Sequence, residues 1–218
     1  MLSDFTVFVL NIIGTVSFAI SGALVSIKAR LDLFGVVFLG IITAFGGGIM
    51  RDILLGFEIP NIFYQSYLVI IALVTSVAVF IILYINRNNL VKLDKKISYF
   101  NNFFDAIGLG AFTVMGTEIA FTSGVYENVL LSVTLGFLTA VGGGIIRDVL
   151  ANTAPFVLKK HVYALVSILG AFIYYYMRIA GLSVTLASSV VIGLVFALRL
   201  FATRYEWTLP KIKYDKQI

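Results

Sequence analysis

Residues 43–52, Thr-Ala-Phe-Gly-Gly-Gly-Ile-Met-Arg-Asp, return at 139–148 as Thr-Ala-Val-Gly-Gly-Gly-Ile-Ile-Arg-Asp, with eight of ten positions identical at an offset of 96. The similarity extends beyond the motif. Asn11-Ile-Ile-Gly14 aligns with Asp105-Ala-Ile-Gly108, Phe18 with Phe112, Gly22 with Gly116 and Pro60 with Pro155. Self-similarity over such a length means two copies of one structural unit. What lies between the copies sets how the units stand to each other. Apolar runs cover roughly 5–27, 34–56, 64–86, 100–122, 129–151, 161–177 and 182–203. Most are about 20 residues long and all are apolar all round, as a helix crossing ~30 Å of hydrocarbon must be. The chain is 60% hydrophobic and 12% charged, whereas soluble domains carry about 25% charged residues.

Each copy of the repeat therefore holds three spans. An odd number turns the second copy upside down relative to the first, the inverted plan in which functional paths run along the repeat interface. The expected fold is an all-α integral membrane protein with seven transmembrane helices: two inverted three-helix repeats plus a seventh helix. Residues 1–90 are read as the first repeat, 91–180 as the second, and 181–218 as the seventh helix with a basic cytoplasmic tail. The 218 residues leave no room for a separate soluble domain. Met1-Leu2-Ser3-Asp4 lacks the basic start of a secretory signal, so the first run is expected to be a retained helix.

The net charge of +5 is distributed by topology. Lys28, Arg30, Arg87, Lys92, Lys95, Lys96, Lys159, Lys160, Arg199, Arg204, Lys211, Lys213 and Lys216 fall on one side, thirteen in all, and only Arg178 on the other. This bias places the N-terminus outside and the C-terminus in the cytoplasm. The basic loops are read as solvated segments that attract anionic lipid headgroups, and nucleic acid is not an expected partner. Tyr174, Tyr175, Tyr176 and Trp207 read as an interfacial aromatic belt, and His161 as a solvated boundary residue. There is no cysteine, hence no disulfide or thiolate metal site. Phosphate-binding, zinc-hydrolase and serine-hydrolase motifs are missing, so neither an enzyme nor a cofactor is expected.

Gly46-Gly47-Gly48 and Gly142-Gly143-Gly144 make a kink or an unwound stretch easy, since each glycine costs a helix roughly 1 kcal/mol relative to alanine. Irregular backbone at membrane depth is tolerated only inside protein or along a water-filled cavity. Close packing of two helices through small residues is the other reading. Arg51 and Asp52 lie about six residues past the centre of their span, roughly 9 Å from the midplane. Arg147 and Asp148 sit equivalently toward the opposite face. Charge at that depth is expensive and is retained where it faces an aqueous cavity or is paired. Neighbouring residues diverge by ~100° on a helix, so Arg and Asp of one motif need not pair with each other. The motifs are read either as two charged gates flanking a glycine constriction or as ion networks that fix the fold. Asn11, Thr15, Ser17 and Ser21, and Asp105, Thr113 and Thr117 on the repeat mate, are candidates to line the same path, and Phe45 to constrict it. Asp105 and Glu118 are also read as solvated helix ends.

With its doubled Gly-Gly-Gly-Ile-x-Arg-Asp motif, its length and its three-plus-three-plus-one layout, the chain resembles the TRIC family of trimeric intracellular cation channels, in particular its prokaryotic members. The resemblance covers nearly the whole chain. It implies a homotrimer with a pore inside each subunit, formed around kinked second and fifth helices. It also implies passage of K⁺, with Na⁺ less favoured, as transient ions rather than tightly bound metals. The cell membrane of a prokaryote is the implied location, with the endoplasmic reticulum as the eukaryotic alternative. The Lys-Glu-Val that animal members associate with phosphoinositide binding does not occur in this sequence. Glycine carbonyls freed at the kinks would then coordinate a partly dehydrated cation. A bulky residue at Gly47 or Gly143 would stop conduction and spare assembly. A secondary transporter of a small amino acid such as glycine is the alternative, because broken helices near the midplane also bind carboxylates and ions.

Overall fold

A computed structural model describes residues 2–86, 90–159 and 162–207. Its helices are α1 (Leu2–Lys28), α2 (Leu33–Leu54), α3 (Ser66–Ile85), α4 (Leu90–Thr122), α5 (Val129–Leu150), the single turn α6 (Phe156–Lys159), α7 (Val162–Ile179) and α8 (Val184–Arg204). A 3₁₀ turn at Asn61–Tyr64 precedes α3 as α6 precedes α7. Among the described residues six helices are long and apolar enough to cross a membrane, and Tyr163–Ile179 is a shorter apolar helix. The chain is an integral membrane protein of two inverted three-helix repeats (α1–α3 and α4–α7) plus α8.

The repeat extends to the details that start each helix. Asp32 caps α2 by accepting from the Gly35 N–H, and Asn128 caps α5 by accepting from Leu131, the equivalent pair of positions in the second copy. Such caps satisfy one of the orphan N–H groups at a helix start. Within each repeat a glycine lets the first two helices touch. A Cβ at Gly22 would stand 2.6 Å from the Leu39 carbonyl and the Thr43 hydroxyl, and one at Gly116 would stand 2.5 Å from the Thr139 hydroxyl. Between repeats, α1 packs on α4 and α2 on α5; α8 leans on α4 and α7. The core is drawn from these faces, with Phe18, Leu109, Ala140 and Val191 fully shielded. Phe34, Ile85 and Leu130 are about three-quarters exposed, the arrangement expected where the surrounding solvent is lipid.

Several expectations change. Helix α4 begins at Leu90, ten residues before the predicted span, so the Lys92–Lys96 stretch is helical and not a loop. Tyr174 and Tyr175 are buried and bonded, the first donating to Glu118 Oε2 at 2.9 Å and the second to the Tyr126 carbonyl at 3.0 Å; Tyr176 and Trp207 keep the exposure of belt residues. Glu118 is no solvated end: it holds Arg178 Nε at 3.0 Å and ties α4 to the end of α7. Arg199 is buried within α8, its guanidinium 4.4 Å over the Tyr163 ring, so it drops out of the surface charge count. Arg87, Lys160, His161, Lys211, Lys213 and Lys216 lie outside the described residues.

Candidate functional site

Helices α2 and α5 cross at the two glycine triplets. Both run through them in continuous α-helix, so there is no unwound stretch. The glycines are there for contact. A Cβ on Gly47 would overlap the Thr139 carbonyl, and a Cβ on Gly143 would overlap the Thr43 carbonyl. One on Gly142 would lie 3.0 Å from Gly47 Cα, and one on Gly46 would lie 3.4 Å from Gly143 Cα. Backbones approach this closely only when no side chain intervenes. Gly48 and Gly144 differ: a Cβ there would meet only side-chain ends, at 3.5 Å or more. Each triplet therefore divides into two residues that make the crossing and one that leaves space beside the arginine.

Beside this crossing, α1 and α4 lock by exchange of rings. Phe18 and Phe112 meet edge to face with centroids 5.0 Å apart. A Cβ on Gly14 would sit 2.5 Å from the Phe112 ring, and one on Gly108 would overlap the Phe18 ring. Each phenylalanine thus rests on the glycine of the other repeat. The sequence marks these residues as repeat equivalents; that they touch is seen only in the fold.

Arg and Asp of each motif do pair, a question that the ~100° between neighbouring helix positions left open. Arg51 Nε and Nη2 reach Asp52 Oδ1 at 2.9 and 2.7 Å, and Arg147 Nε reaches Asp148 Oδ1 at 2.8 Å. A long arginine side chain can bend around the helix to its neighbour, which backbone angles do not capture. The second oxygen of each aspartate takes the N–H that opens the next turn. Asp52 Oδ2 accepts from Asn61 at 2.8 Å and Asp148 Oδ2 from Phe156 at 2.8 Å. Both donors follow the paired prolines, Pro60 and Pro155, which suit the first position of a turn. These carboxylates are therefore used as caps and counter-ions, leaving little of their charge to concentrate passing cations.

The two arginines then part company. Arg147 is fully buried and also gives Nη1 to Asp105 Oδ1 at 2.8 Å and to Ser21 Oγ at 2.6 Å, with the Phe156 ring 5.3 Å from its guanidinium carbon. Asp105, read as a solvated end, is wholly shielded. Arg51 makes hydrogen bonds to Asp52 alone among the described residues. The position equivalent to Asp105 is Asn11, and the one equivalent to Ser21 is Met115. A neutral residue and a thioether replace the partners that hold Arg147.

Two cavities flank the crossing. One, of about 190 Å³, opens toward the face carrying the N-terminus and is lined by Asn11, Thr15, Phe45, Gly48, Arg51 and Asp52, with Asn61 and Gln65 at its rim. The other, of about 440 Å³, opens on the opposite face among Lys28, Ser98, Asn101, Asn102, Asp148 and Thr153. They share no lining residue and are separate cavities. Of the candidates for a path, Asn11, Thr15, Phe45, Gly48, Arg51, Asp52 and Asp148 reach a cavity. Ser17, Ser21, Asp105, Thr113 and Thr117 reach neither, and are buried in packing. Thr113 and Thr117 return their hydroxyls to the carbonyls of Leu109 and Thr113, as membrane hydroxyls commonly do. Asn61, Gln65 and Asn101 were not singled out, because polar residues at predicted helix ends carry no distinguishing pattern. Among the described residues no His, Asp and Glu cluster could hold a metal ion.

A chain of two inverted repeats, crossed at glycines and carrying a cavity with polar side chains among apolar ones on each face, has the build of a membrane protein for passage across the bilayer. Comparison with known proteins places it further. The family model described as "Glycine transporter" matches residues 8–84 and again 102–179, once per repeat. UPF0126 inner membrane protein YadS of Escherichia coli K12 is 36% identical over 216 residues, covering 96% of this chain and 98% of that protein. UPF0126 membrane protein YvgT of Bacillus subtilis is 34% identical, covering 92% and 94%. Among solved structures, a chain from work on the structural basis for conductance through TRIC cation channels superposes with a TM-score of 0.81 at 38% identity, covering 95% of this chain and 97% of that one. The TRIC trimeric intracellular cation channel orthologue from Rhodobacter sphaeroides gives the same TM-score at 28% identity, covering 92% and 98%. The chain belongs to the UPF0126 family, the prokaryotic TRIC-like proteins.

Proposed function

We propose that this protein is a passive cation channel of a bacterial inner membrane, permeable to K⁺ and less so to Na⁺. In this reading it is a homotrimer in which each subunit, with repeats at 1–90 and 91–180, holds its own pore. The observation that carries the reading is the pair of cavities, each with polar and charged side chains in its wall, on opposite faces of the α2–α5 crossing, on a chain whose structural likeness is to TRIC cation channels. With the middle shut, this conformation is the closed one. Conduction requires Phe18 and Phe112 to part and Arg147 to move off the path, so that the vestibules join. Arg51 and Arg147 act as the gating charges, because a guanidinium on the path repels a cation until it is displaced. The carbonyl-filter idea gives way to this one, since the triplets remain helical. The basic loops set the orientation, with the N-terminus outside and the tail in the cytoplasm.

A glycine carrier is the second reading, favoured by the description of the matching family model. Planar-bilayer recording in asymmetric KCl separates the two. Unitary currents that reverse near the K⁺ potential are expected for the channel. A silent bilayer, with saturable uptake of labelled glycine into liposomes, would replace it by the carrier.

A further inference from the structure

The second repeat contains an internal template for a ligand site in the first. Arg147 serves two carboxylates at once, Asp148 through Nε and Asp105 through Nη1, each at 2.8 Å. Arg51 holds only the first of these, because Asn11 stands where Asp105 stands in the other copy. Its hydrogen bonds run from Nε and Nη2 to Asp52, which leaves Nη1 without a hydrogen-bond partner among the described residues. Arg51 is 8% exposed, and what it exposes belongs to the cavity on the N-terminal face. Thr15, Asn11 and Gln65 line the same space, and no hydrogen bond engages their side chains among the described residues. The vacancy opposite Arg51 thus has donors, room and an unused guanidinium edge, and lacks the acceptor that its twin possesses.

We propose that this cavity binds a small monocarboxylate, held by Arg51 as Asp105 holds Arg147. A guanidinium edge matches the geometry of a carboxylate better than that of a spherical anion. The volume of about 190 Å³ lies below the ~300 Å³ at which pockets for drug-sized ligands begin, so the occupant is a small acid, with or without an amino group, for which acetate and glycine are the simplest probes. Asn11, Thr15 and Gln65 give its remaining polar atoms neutral partners, and Phe45, Phe112 and Met115 wall the site with apolar surface. In the channel reading, the bound carboxylate adds a second negative charge beside the Arg51–Asp52 pair and lowers the barrier to cations at the outer vestibule. The site itself goes beyond that reading and does not depend on it.

The test is ligand-observed NMR on the purified protein in detergent, titrated with sodium acetate and, separately, with glycine, against NaCl of matched ionic strength. Wild type is expected to give a saturable acetate signal. Asn11→Asp places a fixed carboxylate before Arg51, as in the other repeat, and is expected to weaken acetate binding at least tenfold. Arg51→Lys keeps the charge and removes the fork, and is expected to weaken it by a similar factor; it decides the matter if Asn11→Asp does not elute as a folded species. No saturable signal from wild type, or unchanged affinity in the folded variants, would overturn the site. A silent bilayer with acetate binding intact would remove the channel reading and keep the site; currents without acetate binding would do the reverse.

Discussion

The two copies of Gly-Gly-Gly-Ile-x-Arg-Asp share their residues and their local bonds, yet they do opposite things. In both, arginine binds the next aspartate, and that aspartate caps the turn after a proline. In the second copy the arginine is sealed by Asp105 and Ser21 with no exposed surface; in the first it borders an open cavity. The difference is set about forty residues from each motif, by aspartate against asparagine on the neighbouring helix. A buried guanidinium needs its charge answered, so the second half closes around Arg147. The first half, lacking the second carboxylate, leaves Arg51 facing polar space. Duplication supplied the frame, and one residue on the first helix of each copy left one arginine sealed and the other at the edge of a cavity.

The largest effect separates what the halves share from what they do not. Gly143→Leu and Gly47→Leu should each abolish the folded protein, since even a Cβ collides with a carbonyl of the facing helix. This replaces the expectation that a bulky residue there stops conduction and spares assembly. Size-exclusion elution after detergent extraction measures it; a normal peak from either variant would mean that the crossing is looser than described. Next comes the asymmetry itself. Asp105→Asn makes the second copy resemble the first and breaks a fully buried ion pair, a change that costs about 3–5 kcal/mol. Asn11→Ala, at the matching position, should stay within about 0.5 kcal/mol, because Asn11 makes no ion pair and borders a cavity. Thermal unfolding in one detergent compares them, and equal losses would erase the distinction between seal and vestibule.

Much of this architecture is legible in the residues. The apolar runs gave seven helices because hydrocarbon permits few alternatives, and the odd number of spans per copy gave the inversion. Aligning Phe18 with Phe112 and Gly14 with Gly108 pointed to a relation that proved to be a physical contact. Pairing across the fold was harder to read. Asp105 and Glu118 looked like ordinary helix ends because hydropathy registers that a residue is charged, and says nothing about an arginine 42 or 60 residues away that will meet it. The glycine triplets admitted two readings, kink or contact, with the same composition and the same propensity cost. Only the position of the facing carbonyls decided that two glycines of each triplet serve contact.

The third glycine of each triplet gives the smallest effect and the sharpest check on that division. Gly48 and Gly144 lie in helices and would meet nothing closer than 3.5 Å with an added Cβ. Gly48→Ala should therefore fold normally and gain up to about 1 kcal/mol from the helix propensity of alanine. Gly47→Ala, one residue away, should lose stability, since its methyl group meets the Thr139 carbonyl on the other repeat. The new methyl at position 48 enters the vestibule beside Arg51, so in the channel reading it should lower the unitary current while raising the unfolding temperature. If Gly48→Ala destabilised the protein as much as Gly47→Ala, the triplet would act as one packing unit. The space beside Arg51 would then be a by-product of the crossing rather than a feature separable from it.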